Sequence, residues 1–359
     1  MPVVAQGTPD LPRHIRIVLL TGLGDVVHGL PVVNAIKDAD RDVHITWVVE
    51  PMPSAILRNH DAIDRVVVYN RKDGLSGIAQ LRRDLRAEPK PDLTLNFNVY
   101  TKSIWPTIIH RSKRRVGFGK DRSFEGVHFA SNEHLPSRPW AHTADMFLEF
   151  AWYLGVNPAN PEWRIRFTPG ETAAQTTFFD RFGSRPVATI VPASSSIKKD
   201  WAPERWADVA NALEKDFGFR VVITGGPGER EQSIADEIVK LSSANIELAM
   251  GDSVRRLAWI IGGSKLLIAP DTGPVHIARA LGVPVIGIYG HTNPWRVGPW
   301  KAYSDLWVDH YTPVDSPPDP SNRTPRWDVM PTIESSEVIQ RISVAVERYG
   351  VTQEKLASV

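Results

Sequence analysis

The chain has 359 residues, 42% of them hydrophobic and 23% charged, which is enough for two domains with sizeable cores. Its 42 Lys and Arg nearly balance 41 Asp and Glu, and it contains no cysteine, which excludes disulfide bonds and thiolate metal sites. No apolar run approaches the ~18 residues that a membrane-spanning helix requires. We therefore expect a globular protein that does not span a membrane.

The first residues, MPVVAQGTPDLPRH, lack the basic-then-apolar layout of a secretory signal peptide. Together with the absence of cysteine, this layout predicts a cytoplasmic protein. Although the net charge is only +1, the segment from Arg71 to Arg122 contains thirteen Lys or Arg and five Asp or Glu. Such a segment is either a solvated surface or a surface that receives an anionic partner.

In the first half of the chain, short β-branched runs alternate with helical patterns, which favours parallel sheets built from βαβ units. The predicted strands are Ile15–Leu20, Val43–Val49, Arg65–Tyr69, Leu93–Asn96 and Arg115–Phe118. The predicted helices are Pro31–Lys37, Gly77–Arg86, Lys102–His110 and His142–Leu154. A polar, proline-bearing stretch, Val156–Gly170, then predicts a linker between domains.

The same alternation restarts after this linker. The predicted strands are Val187–Val191, Val221–Thr224, Ile246–Ala249, Leu266–Ile268 and Val285–Tyr289. The predicted helices are Trp206–Asp216, Glu229–Leu241, Ser253–Gly262, Val275–Leu281 and Glu337–Tyr349. The segment Thr312–Pro331 is rich in Pro, Asp and Ser and is predicted to be an irregular loop.

The fold class is therefore predicted as α/β, with two Rossmann-like, doubly wound domains that face each other across a central cleft. The first domain is predicted over residues 1–160 and the second over residues 161–335. A helix within residues 336–359 closes the chain, and its packing back on the first domain is left open. Because ligands of such sheets bind at the carboxyl ends of the strands, we expect the functional residues in the strand-to-helix loops.

The loop after the first predicted strand reads TGLGDVVHGLP. Gly22 and Gly24 supply the start of a G-x-G-x-x-G dinucleotide fingerprint, and Glu50 ends the next strand, where an acid can hold a ribose. The third glycine is replaced by Val27, however, and the charge of Asp25 would repel a pyrophosphate at the start of the following helix. A dinucleotide site is therefore disfavoured.

Asp25 itself has two interpretations. An aspartate at a helix start commonly caps the free backbone amides. An ionised carboxylate, stabilised there by the helix dipole, is also suited to accept a proton from a substrate hydroxyl. The spacing alone leaves both interpretations open.

Together with further motifs, this loop resembles the N-terminal signature of glycosyltransferase family 9, the ADP-heptose:lipopolysaccharide heptosyltransferases. The resemblance covers most of the chain in the family's order, and the combination of GD-x-x-H with DTG-x-x-H is specific. It implies a GT-B fold, an inverting transfer without a metal or other cofactor, and Asp25 as the catalytic base. The further matching motifs are WVVE, Lys102–Ser103, VGF, His142, KDWAPERW, TGGPGERE and PDTGPVHIARALGVPVIGIYGHTNP.

The resemblance places the nucleotide-sugar donor, ADP-heptose, in the second domain. Asp271, Thr272 and Gly273 follow a predicted strand and open a helix, where backbone amides suit a diphosphate. His276 lies one turn into that helix. It is either a hydrogen-bond donor to the leaving phosphate or a buried helix histidine.

Four further donor-site residues rest on the resemblance. Lys199 matches the lysine of the family's K-x-W pattern and is expected to offset charge on the departing diphosphate, whereas Lys198 is expected to be solvated. Ser194 and Ser195 match positions with hydroxyls near the phosphates. Glu229 matches a position that binds the ribose, although without the resemblance it is an ordinary first-turn glutamate.

The predicted acceptor is an anionic lipopolysaccharide core, held by basic side chains of the first domain. Lys102 and Arg122 are supported by the matched motifs, and Arg71 and Lys72 by their position near a strand end. Peripheral contact with the inner face of the cytoplasmic membrane is compatible with such an acceptor. Nucleic acid is not an expected partner, because no aromatic stacking motif interleaves the basic residues.

One departure from the family's pattern and two rival functions keep alternatives open. His291 stands where family members commonly have the proline of Y-G-P-T, and it affects either the donor pocket or only a loop contact. The rival functions are a transferase or epimerase of the same fold with another nucleotide sugar, and a non-catalytic nucleotide-sugar-binding protein. The presence of both Asp25 and Lys199 argues against pure binding, which needs no base.

The D-x-D at Asp38–Asp40 lies at the wrong sheet edge for a metal and is predicted to be a solvated turn.

Overall fold

The computed structural model describes residues 10–251 and 253–352 and divides the chain into two compact units, Met1–Arg166 and Phe167–Val359. The division falls within the predicted linker, a few residues after the predicted boundary. Residues 1–9 of the predicted first domain and 353–359 of the predicted last segment lie outside the described residues. The acceptor and donor roles of the two domains stay predictions.

The first unit is built around a six-stranded parallel sheet with the order β3-β2-β1-β4-β5-β6. The order reverses between β1 and β4, so the loops after these two strands diverge and leave a crevice at the carboxyl edge. The strands are β1 (His14–Val18), β2 (His44–Val49), β3 (Arg65–Val68), β4 (Leu93–Asn96), β5 (Arg114–Gly117) and β6 (Glu133–His134). The helices are α1 (Leu23–Ala39), α2 (Pro51–Ser54), α3 (Gly74–Ala87), α4 (Ile104–Ile108) and α5 (Thr143–Tyr153).

The second unit repeats this topology, with the parallel order β12-β11-β10-β7-β8-β9 and the reversal between β7 and β10. The strands are β7 (Val187–Ile190), β8 (Arg220–Ile223), β9 (Ile246–Leu248), β10 (Leu266–Pro270), β11 (Val285–Tyr289) and β12 (Val308–Asp309). The helices are α6 (Pro169–Asp180), α7 (Pro203–Lys215), α8 (Glu229–Leu241), α9 (Val254–Gly263), α10 (Gly273–Ala280), α11 (Pro294–Val297) and α12 (Ser335–Tyr349).

Apolar side chains on both faces of the second sheet explain why its strands appear as continuous apolar runs. Ala188 and Ile190 of β7 belong to a core cluster that includes residues of α7, α8 and α12. Val187, which precedes Ala188, belongs to a different cluster, with Phe178 of α6 and Trp259 of α9. Successive strand residues point to opposite faces, and both faces are covered by helices, as in other doubly wound sheets.

Helix α1 begins at Leu23 rather than at the predicted Pro31. Proline is common in the first turn of a helix because its missing N–H costs nothing there. The helix instead starts after Gly22, which has an extended backbone, and it continues through Pro31 because its side chains from Val26 to Ile36 are almost continuously buried. Tertiary burial therefore outweighs the local preference of proline.

The glycine of the HGLP sequence has a packing function. A Cβ atom built on Gly29 would lie 2.8 Å from the indole ring of Trp47 in β2, closer than real Cβ atoms come. Glycine at this position therefore lets α1 approach the sheet over a large aromatic side chain.

Five of the strands and helices named above were not predicted: β6, β12, α6 and the four-residue helices α2 and α11. The two strands contain only two residues each, which is too short for a periodic pattern. Helix α6 buries Phe178 and no other residue, so its sequence shows no apolar stripe.

Local capping and one ion pair hold α6 in place. Thr168 and Glu171 form a capping box, in which each side chain accepts a hydrogen bond from the backbone amide of the other residue. Both carboxylate oxygens of Glu171 also accept from Arg255 of α9, at 2.7 and 2.6 Å. The hydrogen bond from Arg255 lowers the pKa of Glu171 to about 2.

Glu171→Gln is therefore expected to make the stability of the protein less dependent on acid pH. The folded pKa of about 2 lies below the ordinary value of 4.5, so the ionised carboxylate stabilises the fold above about pH 4.5. This stabilisation disappears as the pH falls towards 2. Urea midpoints of the parent and the variant should differ most near neutral pH and converge in acid.

The matched control for this prediction is Glu347→Gln, which removes an exposed carboxylate from α12. It should leave the acid dependence of the parent unchanged. A gap between parent and Glu171→Gln that stays constant from neutral to acid pH would contradict the assignment of the ion pair.

The C-terminal helix α12 is part of the second unit. Its residues Val338, Ile342 and Ala345 are fully buried in the cluster that also contains α7. Ser335 donates to Asp208 of α7 at 3.0 Å. Its packing on the first domain stays a prediction.

None of the helices among residues 10–251 and 253–352 has the length and apolar character needed to cross a membrane.

Candidate active site

The predicted donor residues meet where β7 and β10 run side by side. Because the two strands are parallel neighbours, the loops that follow them lie at the same edge of the sheet. Lys199 comes from the loop after β7, and Asp271 comes from the loop after β10. The Lys199 Nζ lies 2.7 Å from Asp271 Oδ2 and 3.2 Å from the Asp271 carbonyl oxygen. Residues far apart in sequence thus form one polar group.

Asp271 is buried and acts on this site through Lys199. Burial alone would raise the pKa of Asp271, but Lys199 and, less strongly, His276 and Thr292 hold it below its ordinary value. The ionised carboxylate therefore orients the ammonium. An ammonium has three donors, two of which point to Asp271, and the Lys199 side chain is 20% exposed. The remaining donor is available for an anionic ligand.

The start of α10 lies beside this pair. Thr272 is the N-cap residue, with an extended backbone, and its side chain makes no capping hydrogen bond. Its hydroxyl and the Gly273 amide are therefore not used to close the helix, and the positive end of the helix dipole points to the same region. His276 is buried and contributes to the low pKa of Asp271. The histidine is therefore buried within α10, as one of its two interpretations predicted.

The two predicted serines differ in exposure. Ser194 is buried, and its hydroxyl donates to the Ser196 carbonyl at 3.0 Å and accepts from the Ser196 amide at 3.2 Å. It shapes the loop, whereas Ser195 is exposed. Arg230 of α8 also holds this loop, with hydrogen bonds to the Ser194 carbonyl and to Asp200. Sequence reasoning missed Arg230, although it lies within the matched TGGPGERE motif.

The glycine-rich loop before α8 contains one predicted residue and one that was missed. Glu229 is exposed as the first residue of α8 and faces solvent. Glu231 instead accepts a hydrogen bond from the Gly226 amide at 2.5 Å and so braces the loop. The carboxylate that shapes the loop is therefore Glu231, and Glu229 is left available for a ligand.

His291 makes a loop contact, which is one of its two predicted interpretations. Its Nδ1 donates to the Arg326 carbonyl at 2.8 Å, and its ring lies 5.2 Å from the Trp327 ring, edge to face. Lys198 lies over the same indole, with its Nζ 3.6 Å from the ring centroid. The irregular segment 312–331 is thereby fastened beside the Lys199 loop, and Lys198 has a partner instead of being simply solvated.

In the first unit, Asp25 lies at the corresponding place, after β1 and opposite the loop that follows β4. Gly22 is the N-cap residue of α1, and Asp25 lies in the first turn, so Asp25 is not itself the N-cap residue. Lys102 lies in the turn after β4. Burial lowers the pKa of Lys102, while the nearby carboxylates of Glu50 and Asp25 oppose this shift. Asp25 and Lys102, which belong to two separate sequence motifs, are therefore close enough to interact electrostatically.

Glu50 and Arg71 complete this group from the ends of β2 and β3. The Arg71 Nε donates to Glu50 Oε1 at 2.5 Å, and the Arg71 side chain remains 42% exposed. Lys72 is exposed beside it. The carboxyl edge of the first sheet thus presents alternating acids and bases, with Asp25 half-buried among them.

Asn98, which sequence reasoning missed, joins the two loops of this edge. Its side-chain oxygen accepts from the Leu20 amide at 3.0 Å, and its side-chain nitrogen donates to the Val18 carbonyl at 2.9 Å. Asn96 in turn accepts from the Asn98 amide at 3.1 Å. The signal for this pair was available as two asparagines at the end of a buried strand, in LNFN.

The two motif histidines of the first unit pack α1 against α5. The rings of His28 and His142 are edge to face, with centroids 5.2 Å apart. His142 also caps α5, since its Nδ1 accepts from the Ala144 amide at 3.1 Å. These histidines therefore hold the helix that carries Asp25.

The structure does not support an acceptor-binding role for Arg122. Its side chain is 1% exposed and forms two hydrogen bonds with Glu149 of α5, at 2.7 and 2.8 Å. A third hydrogen bond goes to the Pro136 carbonyl at 2.9 Å. The motif therefore marks a buried ion pair, because removing such a charge from water requires a partner. We do not propose Arg122 as an acceptor ligand.

Arg122→Lys is accordingly expected to lower the free energy of unfolding by about 2 kcal/mol without changing the KM for an acceptor. Lysine keeps the charge but cannot make the forked contact with Glu149. Urea unfolding and acceptor saturation curves measure the two effects separately. Unchanged stability together with a raised acceptor KM would restore the role predicted from the sequence.

The D-x-D sequence lies at the other end of α1 from Asp25. Asp38 forms a two-pronged ion pair with Arg164, at 2.7 and 2.6 Å, so it is paired as well as partly solvated. Asp40 accepts from the Asp42 amide at 2.9 Å. Over residues 10–251 and 253–352, no three His, Asp or Glu side chains are grouped so as to hold a metal ion.

Comparison with known proteins gives consistent matches. The family model for glycosyltransferase family 9 (heptosyltransferase) matches residues 78–313. The lipopolysaccharide core heptosyltransferase OpsX of Haemophilus influenzae is 30% identical over 293 residues, which cover 81% of this chain and 83% of the relative.

Solved structures share the fold. A glycosyl transferase family 9 structure from Veillonella parvula has a TM-score of 0.80 at 22% identity and covers 94% of this chain and 98% of its own. The structure of E. coli heptosyltransferase WaaC with ADP-2-deoxy-2-fluoro heptose has a TM-score of 0.69 at 21% identity, with coverages of 92% and 99%.

The predicted α/β class and GT-B fold are confirmed by the two parallel six-stranded sheets and by these structural neighbours. The roles of the individual site residues stay predictions. The family match and the 30% identical relative establish that the chain belongs to glycosyltransferase family 9 and is a glycosyltransferase.

Proposed function

We propose that this enzyme transfers heptose from ADP-heptose to an anionic lipopolysaccharide core acceptor, with inversion and without a metal ion. The observation that carries the proposal is the polar group at the β7 and β10 loops, where Lys199 and the start of α10 suit a diphosphate. The proposal is supported by the relative described as a lipopolysaccharide core heptosyltransferase, and by the fold shared with a protein bound to an ADP-heptose analogue.

In the proposed reaction, an acceptor hydroxyl attacks the anomeric carbon of the heptose. Asp25 accepts the hydroxyl proton as the new glycosidic bond forms. The bond between the anomeric carbon and the diphosphate oxygen breaks in the same displacement, which inverts the anomeric configuration and releases ADP.

Charge develops on the departing diphosphate, and fixed donors must stabilise it. Lys199 supplies a positive charge that Asp271 already holds in place, so little reorganisation is needed during the reaction. The proposed further donors are the Thr272 hydroxyl, the Gly273 amide and Ser195. His276 is proposed to help keep the neighbouring Asp271 carboxylate ionised. Glu229, which is exposed at the start of α8, is proposed to bind the ribose.

On the acceptor side, Lys102, Arg71 and Lys72 are proposed to bind phosphates and carboxylates of the core. All three lie at or next to the carboxyl edge that carries Asp25. The acceptor in this proposal is a glycolipid of the cytoplasmic membrane. We therefore propose that the enzyme works in the cytoplasm, in peripheral contact with the inner face of that membrane.

The test uses the full-length protein, ADP-heptose and a deacylated inner-core acceptor. We expect ADP release and a heptose mass gain on the acceptor, with an inverted anomeric configuration by NMR and unchanged activity in excess EDTA. UDP-sugars should be poor donors. Turnover with UDP-sugars alone, or epimerisation without transfer, would replace this function. Activity that is lost in EDTA and restored by Mg²⁺ would remove the metal-free mechanism.

A further inference from the structure

Helix α3 exposes a continuous stripe of apolar and basic side chains. The residues of this α3 stripe are spaced three or four apart, which places them on one face of the helix, along a surface depression of about 400 Å³. The neighbouring face of the helix buries Leu81 and Leu85 against β-strand residues of the core. The α3 stripe consists of Leu75, Ile78, Ala79, Arg82, Arg83 and Arg86.

The apolar part of the stripe is exposed at the first turns of α3. Leu75 is 86% exposed. A single exposed leucine is ordinary, but the exposed Ala79 and the partly buried Ile78, which also packs against the core, extend the apolar surface into the next turn. The three arginines occupy the following turns of the same face and are all exposed.

The positive charges of the stripe have no acidic ion-pair partner in the part of the chain that the structure describes. Among the described residues, no carboxylate forms an ion pair with Arg82, Arg83 or Arg86. Arg83 donates to Gln80 at 2.5 Å, and Gln80 donates to Asp84, so the Asp84 carboxylate is engaged by an amide. The stripe therefore presents three uncompensated guanidinium groups next to an exposed leucine.

The stripe also begins at the edge of the sheet that carries the proposed acceptor residues. Helix α3 starts at Gly74, directly after the turn Arg71–Asp73. That turn follows β3 at the carboxyl edge, where Arg71 contacts Glu50. The apolar end of the stripe thus lies next to this edge, and the arginines lead away from it along the helix.

We propose that the α3 stripe is the surface by which this enzyme docks on an anionic phospholipid bilayer. Leu75 enters the headgroup layer, and the three arginines make forked contacts with lipid phosphates while their aliphatic stems cover the apolar surface. This inference rests on the proposed function, because a glycolipid acceptor requires the enzyme to work at a membrane surface.

The test measures co-sedimentation of the full-length protein with vesicles, without donor or acceptor. The vesicles consist of phosphatidylcholine alone or of phosphatidylcholine mixed with phosphatidylglycerol. The parent should bind the mixed vesicles, with weaker binding at higher salt, and should hardly bind phosphatidylcholine. The variant R82Q/R83Q/R86Q should bind the mixed vesicles about 10²-fold more weakly, since each basic residue at an anionic surface contributes a several-fold factor. Leu75→Ser should weaken binding several-fold.

The matched control is R41Q/R58Q/K113Q, which removes the same charge from exposed positions elsewhere in the first unit. It should bind vesicles like the parent. All variants should keep the parent's thermal stability and its turnover with a deacylated acceptor. An equal loss in the control would show that only net charge matters, and it would overturn the proposal. So would unchanged vesicle binding in the arginine variant, or a parent that binds duplex DNA but not vesicles.

Failure of the proposed function leaves a different signature. A protein that binds anionic vesicles through the stripe but transfers no heptose would confirm the docking surface and rule out the assigned reaction. A protein that transfers heptose to the deacylated acceptor but does not bind the vesicles would confirm the assigned reaction and rule out the docking surface.

Discussion

Asp25→Asn is expected to lower turnover by about 10²-fold or more while leaving the affinity for ADP unchanged. Asparagine has nearly the same size but cannot accept the proton of the acceptor hydroxyl. Asp25 lies in the first turn of α1, close enough to Lys102 to influence its pKa, and the proposed donor residues belong to the other unit. The substitution should therefore affect the chemical step alone.

Steady-state turnover and calorimetry with ADP measure the two quantities separately. The matched control is Asp145→Asn, because Asp145 is also a half-buried acid in the first turn of its helix, α5. It shares the favourable interaction with the helix dipole but follows β6 rather than β1. Equal turnover losses in both variants would reduce Asp25 to a residue that stabilises its helix.

Lys199→Ala is expected to lower transfer by about 10²–10³-fold, the usual cost of removing one donor from a developing negative charge. The result needs a second variant, because the ion pair with Asp271 is largely buried. Removing the lysine alone leaves the Asp271 carboxylate without its main partner, which destabilises the fold. A lower activity could then reflect partial unfolding.

The double variant Lys199→Ala/Asp271→Asn separates these effects. It should recover much of the thermal stability that Lys199→Ala loses, because no buried carboxylate remains unpaired. It should not recover turnover, because the charge that stabilises the leaving diphosphate is still missing. Recovery of both together would show that Lys199 has only a structural role.

Lys198→Ala provides the control for position. Its ammonium lies over the exposed Trp327 ring, a contact that contributes about 0.5–1 kcal/mol at such sites. We expect a small loss of stability and little change in transfer. A larger loss of transfer at Lys198 than at Lys199 would mean that the K-x-W register is wrong by one residue.

The location of the candidate site could be predicted from the sequence because its signals are local. Asp25, Lys199 and the Asp271–Gly273 segment each follow a buried strand, and the carboxyl ends of parallel strands share one edge. The helix that carries Asp25 was predicted too short, because Pro31 is a strong local signal for a helix start. Burial along α1 overrides that signal.

The partners of the polar side chains could not be predicted in this way. Arg122 matched a family motif, yet it contacts Glu149 of α5, which lies 27 residues later in the chain. Likewise Glu231, rather than Glu229, braces the glycine-rich loop, and Lys198 is placed over Trp327 from a distant irregular segment. Nothing in the local pattern distinguishes an arginine that binds a ligand from one that pairs inside the core.

The sequence by itself determined the α/β class, the two rounds of strand and helix, the family and the loops in which the candidate site lies. These features depend on residue periodicity and on short motifs, which are read within a few residues. Only the tertiary structure decided which charges are buried, which are paired and which remain exposed, such as the arginines of the α3 stripe. The physical reason is that strand order, not proximity in sequence, brings Asp271 to Lys199 and Asn98 to Val18.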